Sequence, residues 1–347
     1  MPQGGMFFYI KINMKRKIQT AKLESRIIKS MRDFLEENNF FEIFPPKIVR
    51  ASGACENIDT LFEVGVNGDL YWFHPKGFHK TYLSQTAQLY LEAFTPYFKK
   101  VYSIGPSFRA EARNDNRHLT EFIMMEIEFA GDFKKLLEYI EKVIYRIIKD
   151  ILETPAEKKR QLNLTKENIE RLKKIKPIFP KITYKEAINF LGLPFGSDIS
   201  RRNEEKLLNK FNNQPLFITH FPNPLYNHGK EIEVEKFFNM APDPKNPSQV
   251  LSADLILPFG GEAVGAAQRV YKYDELKWRL ENSQMFKRLK EKGGGLNDFS
   301  WYLKRLKKKS CLHSGCGFGI GRILKFIKEE KDIKKAVTFP SNQRNII

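Results

Sequence analysis

The chain has 347 residues, 41% of them hydrophobic, and carries 59 lysines and arginines against 41 acids, for a net charge of +18. That length can bury a full core and fits either one large domain with an insertion or two domains. No stretch reaches the roughly 18 consecutive apolar residues of a membrane span, the glycine-rich opening decapeptide does not read as a signal peptide, and Cys55, Cys311 and Cys316 lack metal-ligand spacing, so a cytoplasmic protein in a reducing compartment is expected.

The basic charge by itself makes a weak case for nucleic acid, because the lysines are dispersed through helices and linkers instead of forming one stripe. After a basic lead-in over residues 1–22, residues 23–38 carry Ile27, Ile28, Met31, Phe34 and Leu35 at helical spacing, which predicts a helix with one buried face. Residues 40–43 suggest a strand that stops at Pro45-Pro46, since proline cannot donate to a ladder. A glycine-containing loop over residues 51–64 carries Glu56 and runs into a strand. Gln85 and Gln88 precede a helix, and an amide that both donates and accepts suits a zwitterionic ligand.

Residues 100–104 read as a strand ending at Gly105-Pro106, and residues 121–129 as a second strand. The turn between them gathers Arg109, Glu111, Arg117, His118 and Glu121. Guanidinium forks suit phosphate oxygens, but cross-strand ion pairs on a surface hairpin would use the same residues. Spacing alone leaves both open.

Leu136, Leu137, Ile140, Val143, Ile144, Ile147 and Ile148 form an apolar stripe that predicts a helix over residues 133–153. A lysine-rich linker over 155–176 is expected on the surface, followed by a short helix with Thr183 as its cap, another near 207–211 and a strand at 216–219. The span 155–215 reads as a small insertion. Beyond a proline-rich turn, a strand over 250–257 carries Asp254, and Glu262 follows Gly260-Gly261. Two such acids could share magnesium, which prefers carboxylate oxygens and bridges to substrate phosphates. Small residues from Gly265 to Ala267 allow close backbone approach to a ligand. Arg269 after them is either a ligand or half of a surface salt bridge. A helix over 273–289 is expected to end before Gly293-Gly294-Gly295.

Phe108-Arg109-Ala110-Glu111 followed by Arg117-His118-Leu119-Thr120-Glu121-Phe122 resembles the second signature motif of class II aminoacyl-tRNA synthetases in the aspartyl/asparaginyl branch. The run from His313 to Arg322 resembles the third motif, and the helix, strand and proline near the start resemble the first. The resemblance extends from about Leu23 to the end. It implies an α+β fold, a class II synthetase-type antiparallel sheet flanked by helices, as one catalytic domain over 23–347 with 155–215 inserted. It also implies a homodimer formed through the first motif.

The implied chemistry is attack of the carboxylate of aspartate or asparagine on the α-phosphate of ATP, giving an aminoacyl-adenylate and pyrophosphate with Mg2+ present. On this resemblance Arg109 clamps the α-phosphate and Arg322 the γ-phosphate. Phe122 stacks under adenine, Glu111, Arg117 and His118 hold the nucleotide, and Asp254 with Glu262 binds the metal. Glu56 takes the amino group, Gln88 contacts the amino acid and Arg269 reads its side chain, while His313 is expected to be structural. For Glu56, a solvated loop carboxylate is the plain alternative.

One position departs from the family pattern, and two others point to different members of the branch. Gly321 stands where a glutamate usually precedes the arginine of the third motif. Leu91 follows the asparaginyl pattern, where aspartyl enzymes have lysine, yet Gln85 is like the aspartyl one; aspartate versus asparagine stays open. Full-length enzymes of this branch carry an anticodon-binding OB-fold of about a hundred residues before the core, whereas residues 1–22 alone precede it here. The expected acceptor is therefore ammonia, converting an aspartyl-adenylate to asparagine and AMP. Transfer of asparagine to tRNA is the alternative, and a silent paralogue that binds RNA or a partner is a second, suggested by Gly321.

Overall fold

The computed structural model describes residues 14–53, 57–73, 80–112, 115–226, 232, 234 and 236–344. In chain order it begins with α1 (Met14–Glu37), β1 (Phe41–Glu42), β2 (Ile48–Val49), β3 (Glu63–Val64), β4 (Thr81–Leu83) and α2 (Gln88–Phe98). Next come β5 (Lys100–Phe108), β6 (Glu121–Phe129), α3 (Phe133–Leu152), α4 (Ala156–Lys159), α5 (Lys166–Lys173), β7 (Lys181–Thr183), α6 (Tyr184–Leu191), α7 (Arg201–Lys210) and β8 (Leu216–Thr219). The last part holds β9 (Pro242–Asp243), β10 (Asn246–Val250), β11 (Ser252–Leu257), β12 (Gly261–Gln268), α8 (Tyr273–Asn282), α9 (Gln284–Glu291), α10 (Ser300–Lys308), β13 (Ser314–Gly319), α11 (Ile320–Lys328) and α12 (Ile333–Ala336).

Eight strands form the central sheet in the order β1-β5-β6-β13-β12-β11-β8-β7. The two outermost pairs, β1 with β5 and β7 with β8, are parallel, and the inner pairs are antiparallel. Side chains alternate between the two faces of a strand, and that period sorts the chemistry. On β6, Met125, Ile127 and Phe129 pack into the main core, as do Leu255 of β11 and Phe318 of β13. The intervening residues Phe122, Met124, Glu126, Glu128, Asp254 and Gly317 line a cleft on the opposite face.

Three helices cover the core face. Leu23, Ile27 and Met31 of α1, Ile140, Ile144 and Ile147 of α3, and Ile323, Leu324 and Ile327 of α11 join one cluster with the sheet residues. Each such side chain contributes roughly 1.5–3 kcal/mol on burial, which fixes the sheet as a rigid floor for the cleft. Asp132 caps α3, its carboxylate accepting from the Lys135 amide, in the manner expected of an N-cap aspartate. Among the described residues no helix is long and apolar enough to cross a membrane.

Several boundaries differ from those the sequence suggests. The first helix starts at Met14, inside the basic lead-in, with Thr20 and Leu23 already buried. β5 runs through Gly105 and Pro106 to Phe108, paired with β6 throughout; proline is accommodated there because β1 pairs with β5 only at Val101 and Tyr102, leaving an edge beyond. The helix expected over 273–289 is two helices, broken at Ser283, whose extended backbone and side chain cap the second.

The lysine-rich linker is also more than surface. Leu162, Leu172 and Ile175 are buried, and the Arg171 guanidinium reaches Glu329 at 2.7 Å and the Phe326 carbonyl. The span 155–215 further supplies β7 to the sheet edge and α7 to the cleft. Thr183 caps α6 in a reciprocal box with Glu186, as its sequence predicts.

Candidate active site

The cleft encloses about 680 Å³, and among its walls are Gln88, Arg109, Glu111, Arg117, His118, Phe122, Asp254, Glu262, Arg269 and Arg322. The sequence proposes eleven site residues, and these ten meet in one cavity although they come from both ends of the chain. Glu56 lies outside the described residues.

At one end the cations gather. The Arg109 guanidinium lies 5.6 Å from the centre of the Phe122 ring. Arg322 Nη1 donates to the backbone carbonyls of Glu262 at 3.0 Å and Gly260 at 3.5 Å. Burial lowers the Arg322 pKa, and the nearby Arg117 and Arg109 add to that, against Glu262 and Glu204. Guanidinium groups crowded in this way gain when an anion arrives between them.

The turn that carries Arg117 and His118 is built by Asp115. Its Oδ1 accepts from both backbone amides at 2.8 and 2.9 Å, and its Oδ2 meets His118 Nδ1 at 2.8 Å. Arg117 Nη2 donates to Glu204 of α7 at 3.0 Å. This pair needs a glycine opposite: Gly261 has φ +70, and a Cβ there would lie 2.9 Å from both Arg117 Nη2 and Glu204 Oε2.

Acids stand beside the cations. Asp254 holds the Lys236 ammonium at 2.7 and 2.9 Å, and that ammonium also lies 3.8 Å from the centre of the Phe221 ring. Burial raises the Asp254 carboxyl, and Glu262 and Glu204 raise it further, while Lys236 opposes them. Among the described residues no cluster of three or more histidines, cysteines and acids forms a metal cage. The Lys236 ammonium stands where a cation is favoured, so Asp254 and Glu262 fit a magnesium ion that takes one or two protein carboxylates and completes its shell with phosphate and water.

The other end is a buried polar network. Arg269 is 4% exposed and donates through Nε and Nη2 to one oxygen of Glu128 at 3.0 and 2.8 Å; it is therefore no surface salt bridge. Glu92 accepts from Gln88 Nε2 at 2.8 Å, Tyr302 Oη at 2.6 Å and Asn239 Nδ2 at 2.5 Å. His313 Nε2 is 3.3 Å from the same carboxylate and its Nδ1 is 2.8 Å from the Cys311 carbonyl oxygen, which gives His313 the structural place expected of it. Burial pushes the Glu128 carboxyl up to about 7, with Arg269 opposing and Glu92 reinforcing that rise. Gly315 makes room for it, since a Cβ there would lie 2.0 to 2.4 Å from the Glu128 carboxylate.

Glu126 accepts from the Ala87 amide at 2.7 Å and from the Thr86 hydroxyl. Leu91 supplies apolar wall to the cleft and packs with Ala87 and Val101. Gln85 is placed differently from Gln88. Its amide is committed to the loop before it, donating to the carbonyls of Asn57 at 2.9 Å and Thr60 at 3.1 Å and accepting from the Asn57 amide at 2.8 Å. Its likeness to the aspartyl pattern therefore bears on loop structure. Gly321 lines the cleft, and a Cβ there would meet the side chains of Ile333 and Val337 at 3.2 Å.

Glu92, Glu126, Glu128, Glu204 and Lys236 are cleft or network residues that the sequence does not single out. Alternation along β6 carries the signal for two of them, because Glu126 and Glu128 share the face of Phe122. Glu92 lies four residues after Gln88 on α2, within side-chain reach.

The family model for class II tRNA synthetases (D, K and N) matches residues 7–343. The asparagine–tRNA ligase of Thermoplasma acidophilum is 34% identical over 330 residues, covering 93% of this chain and 69% of that protein. The asparagine–tRNA ligase of Pyrococcus furiosus is 33% identical over 340 residues, covering 96% and 70%. Among solved structures, asparaginyl-tRNA synthetase from Pyrococcus horikoshii complexed with asparaginyl-adenylate superposes with a TM-score of 0.78 at 30% identity, over 95% of this chain and 70% of that one. The Entamoeba histolytica asparaginyl-tRNA synthetase in complex with asparaginyl-adenylate gives 0.76 at 28% identity, over 95% and 68%. With the motif residues of one cleft in place beneath these likenesses, the chain belongs to the class II tRNA synthetases of the D, K and N group and is an ATP-dependent, AMP-forming ligase with an asparaginyl-tRNA synthetase-like core.

Proposed function

We propose that the cleft joins asparagine to the α-phosphate of ATP, forming asparaginyl-adenylate and pyrophosphate, and that the asparaginyl group then passes to tRNA. The observation that carries this reading is the charge balance at the amino-acid end. Arg269 is already paired with Glu128, Glu126 stands nearby in the same cleft, and Leu91 is apolar. A neutral amide suits such a wall, since its oxygen can accept from Arg269 while its NH2 donates to a carboxylate. A side-chain carboxylate would face those acids with no cation of its own, a costly arrangement in a buried site.

Aspartate is thereby disfavoured, and with it the reading in which ammonia attacks an aspartyl-adenylate. The named relatives are asparagine–tRNA ligases, and the two solved structures hold asparaginyl-adenylate, which favours the same choice. The assembled cations and acids favour an active site over a silent paralogue.

In this proposal Arg109 grips the α-phosphate, Arg322 the γ-phosphate, and Arg117, His118 and Glu111 the rest of the nucleotide, with adenine over Phe122. Gln88, Arg269 and the loop that carries Glu56 hold asparagine. Magnesium at Asp254 and Glu262 would neutralise phosphate charge. The amino-acid carboxylate oxygen attacks phosphorus in line, a bond to the α-phosphate forms, and pyrophosphate leaves. No side chain needs to move a proton in that step, so positioning and charge complementarity supply the rate.

A second copy of the chain is proposed to cover the edge near β1, where Phe41 is 60% and Phe44 80% exposed and Phe41 packs against Phe98. The acceptor is tested by charging total tRNA with labelled asparagine. Asparaginyl-tRNA should form, and its absence from protein that still makes the adenylate would overturn tRNA as the acceptor.

A further inference from the structure

Helix α7 comes from the span that reads in sequence as an insertion, yet it touches two neighbouring residues of the turn after β5. Arg201 Nη1 donates to Asn116 Oδ1 at 2.9 Å, and Glu204 Oε1 accepts from Arg117 Nη2 at 3.0 Å. The same Glu204 oxygen accepts from the backbone amide of Glu262 at 3.3 Å. One carboxylate therefore joins the turn to the start of β12. Glu204 is 5% exposed, and its second oxygen is buried without a hydrogen-bond partner among the described residues.

A carboxylate in that condition is retained at a cost, and its placement says what it does. Arg117 has a long, flexible side chain, and a guanidinium that must meet a phosphate gains from being held before the anion arrives. Gly261, with no Cβ, leaves the space in which the two side chains meet. We propose that Glu204 is the positioning residue that aims Arg117 at the phosphate tail of ATP, so that α7 completes the nucleotide site. This rests on the reading of that end of the cleft as the triphosphate site.

Two effects of opposite sign separate the proposal from its rivals. Removing a negative charge near a triphosphate would by itself tighten ATP binding, whereas losing the support of Arg117 weakens it. The test is calorimetric titration of the full chain with ATP and magnesium, alongside KM values in asparagine-dependent pyrophosphate exchange, for Glu204→Ala, Glu204→Gln, Arg117→Ala and the double variant. Glu204→Ala should weaken ATP about tenfold, within the range of coupling between residues of one hydrogen-bonded ion-pair network, while KM for asparagine stays within about twofold.

In the Arg117→Ala background the further loss of Glu204 should change ATP affinity less than about twofold, because the two act as a unit. Unchanged or tighter ATP binding in Glu204→Ala, or additive losses in the double variant, would overturn the proposal. Glu204→Gln keeps the shape but exchanges the charge-assisted hydrogen bond to Arg117 for a neutral one, so it should weaken ATP in the same direction by a smaller factor, about threefold, and unchanged or tighter binding there overturns the proposal if Glu204→Ala does not fold. The calorimetric arm contains no amino acid, so absence of asparagine-dependent exchange in the unaltered protein would count against the proposed function and leave the Glu204 result standing.

Discussion

Arg269 donates both Nε and Nη2 to a single oxygen of Glu128, and the pair lies at the floor of the cleft with Glu92 3.9 Å from the guanidinium. Two carboxylates thus share one buried arginine, and His313 beside Glu92 supplies the balancing charge when protonated.

This pair predicts a pH dependence of stability. Burial raises the folded-state pKa of Glu128 to about 7, above its unfolded value, so the folded protein binds the proton more tightly than the unfolded chain. Stability attributable to that proton is present at pH 4–5 and is lost as pH rises through about 7. Glu128→Gln removes the titration. Urea unfolding at pH 5 and pH 8 should show the unaltered protein losing stability relative to Glu128→Gln between the two; a constant difference would contradict the assignment.

Arg109 supplies a second prediction. Arg109→Ala should abolish pyrophosphate exchange, a loss of several kcal/mol of transition-state stabilisation, while Lys158→Ala on exposed α4 should stay within about twofold. Equal activities in the two variants, measured at saturating ATP and asparagine, would remove Arg109 from the reaction.

How far the sequence shows this arrangement depends on the residue. β6 and β8 match their expected bounds because a period-two pattern or a short apolar run between turn residues leaves little freedom. The break at Ser283 was hidden, since 273–289 keeps helical spacing across it and only a backbone conformation ends the helix. The motif residues were readable through their resemblance, and tertiary structure adds which partner each one takes. Glu204 shows the limit: within Arg201-Arg202-Asn203-Glu204-Glu205 it looks like one more solvated helix charge, and only packing of α7 on β11 and β12 buries it.

Leu91 offers a test of side-chain choice. Leu91→Lys would place an ammonium in the wall of the amino-acid end, supplying the cation that an aspartate side chain lacks there. The ratio of aspartate to asparagine exchange rates should rise by at least about tenfold, the equivalent of one charge-assisted hydrogen bond. Burial of the new charge should also lower Tm. A ratio that does not move would show that Leu91 has no part in selection.

The most direct test is amino-acid-dependent exchange of labelled pyrophosphate into ATP, run separately with asparagine and aspartate on the unaltered protein. Robust exchange with asparagine, at least about tenfold above that with aspartate, is the predicted result, since a misplaced buried charge costs well over 1.4 kcal/mol. Exchange that is faster with aspartate would contradict the charge balance drawn around Arg269 and Glu128, and exchange with neither would contradict adenylate formation in this cleft.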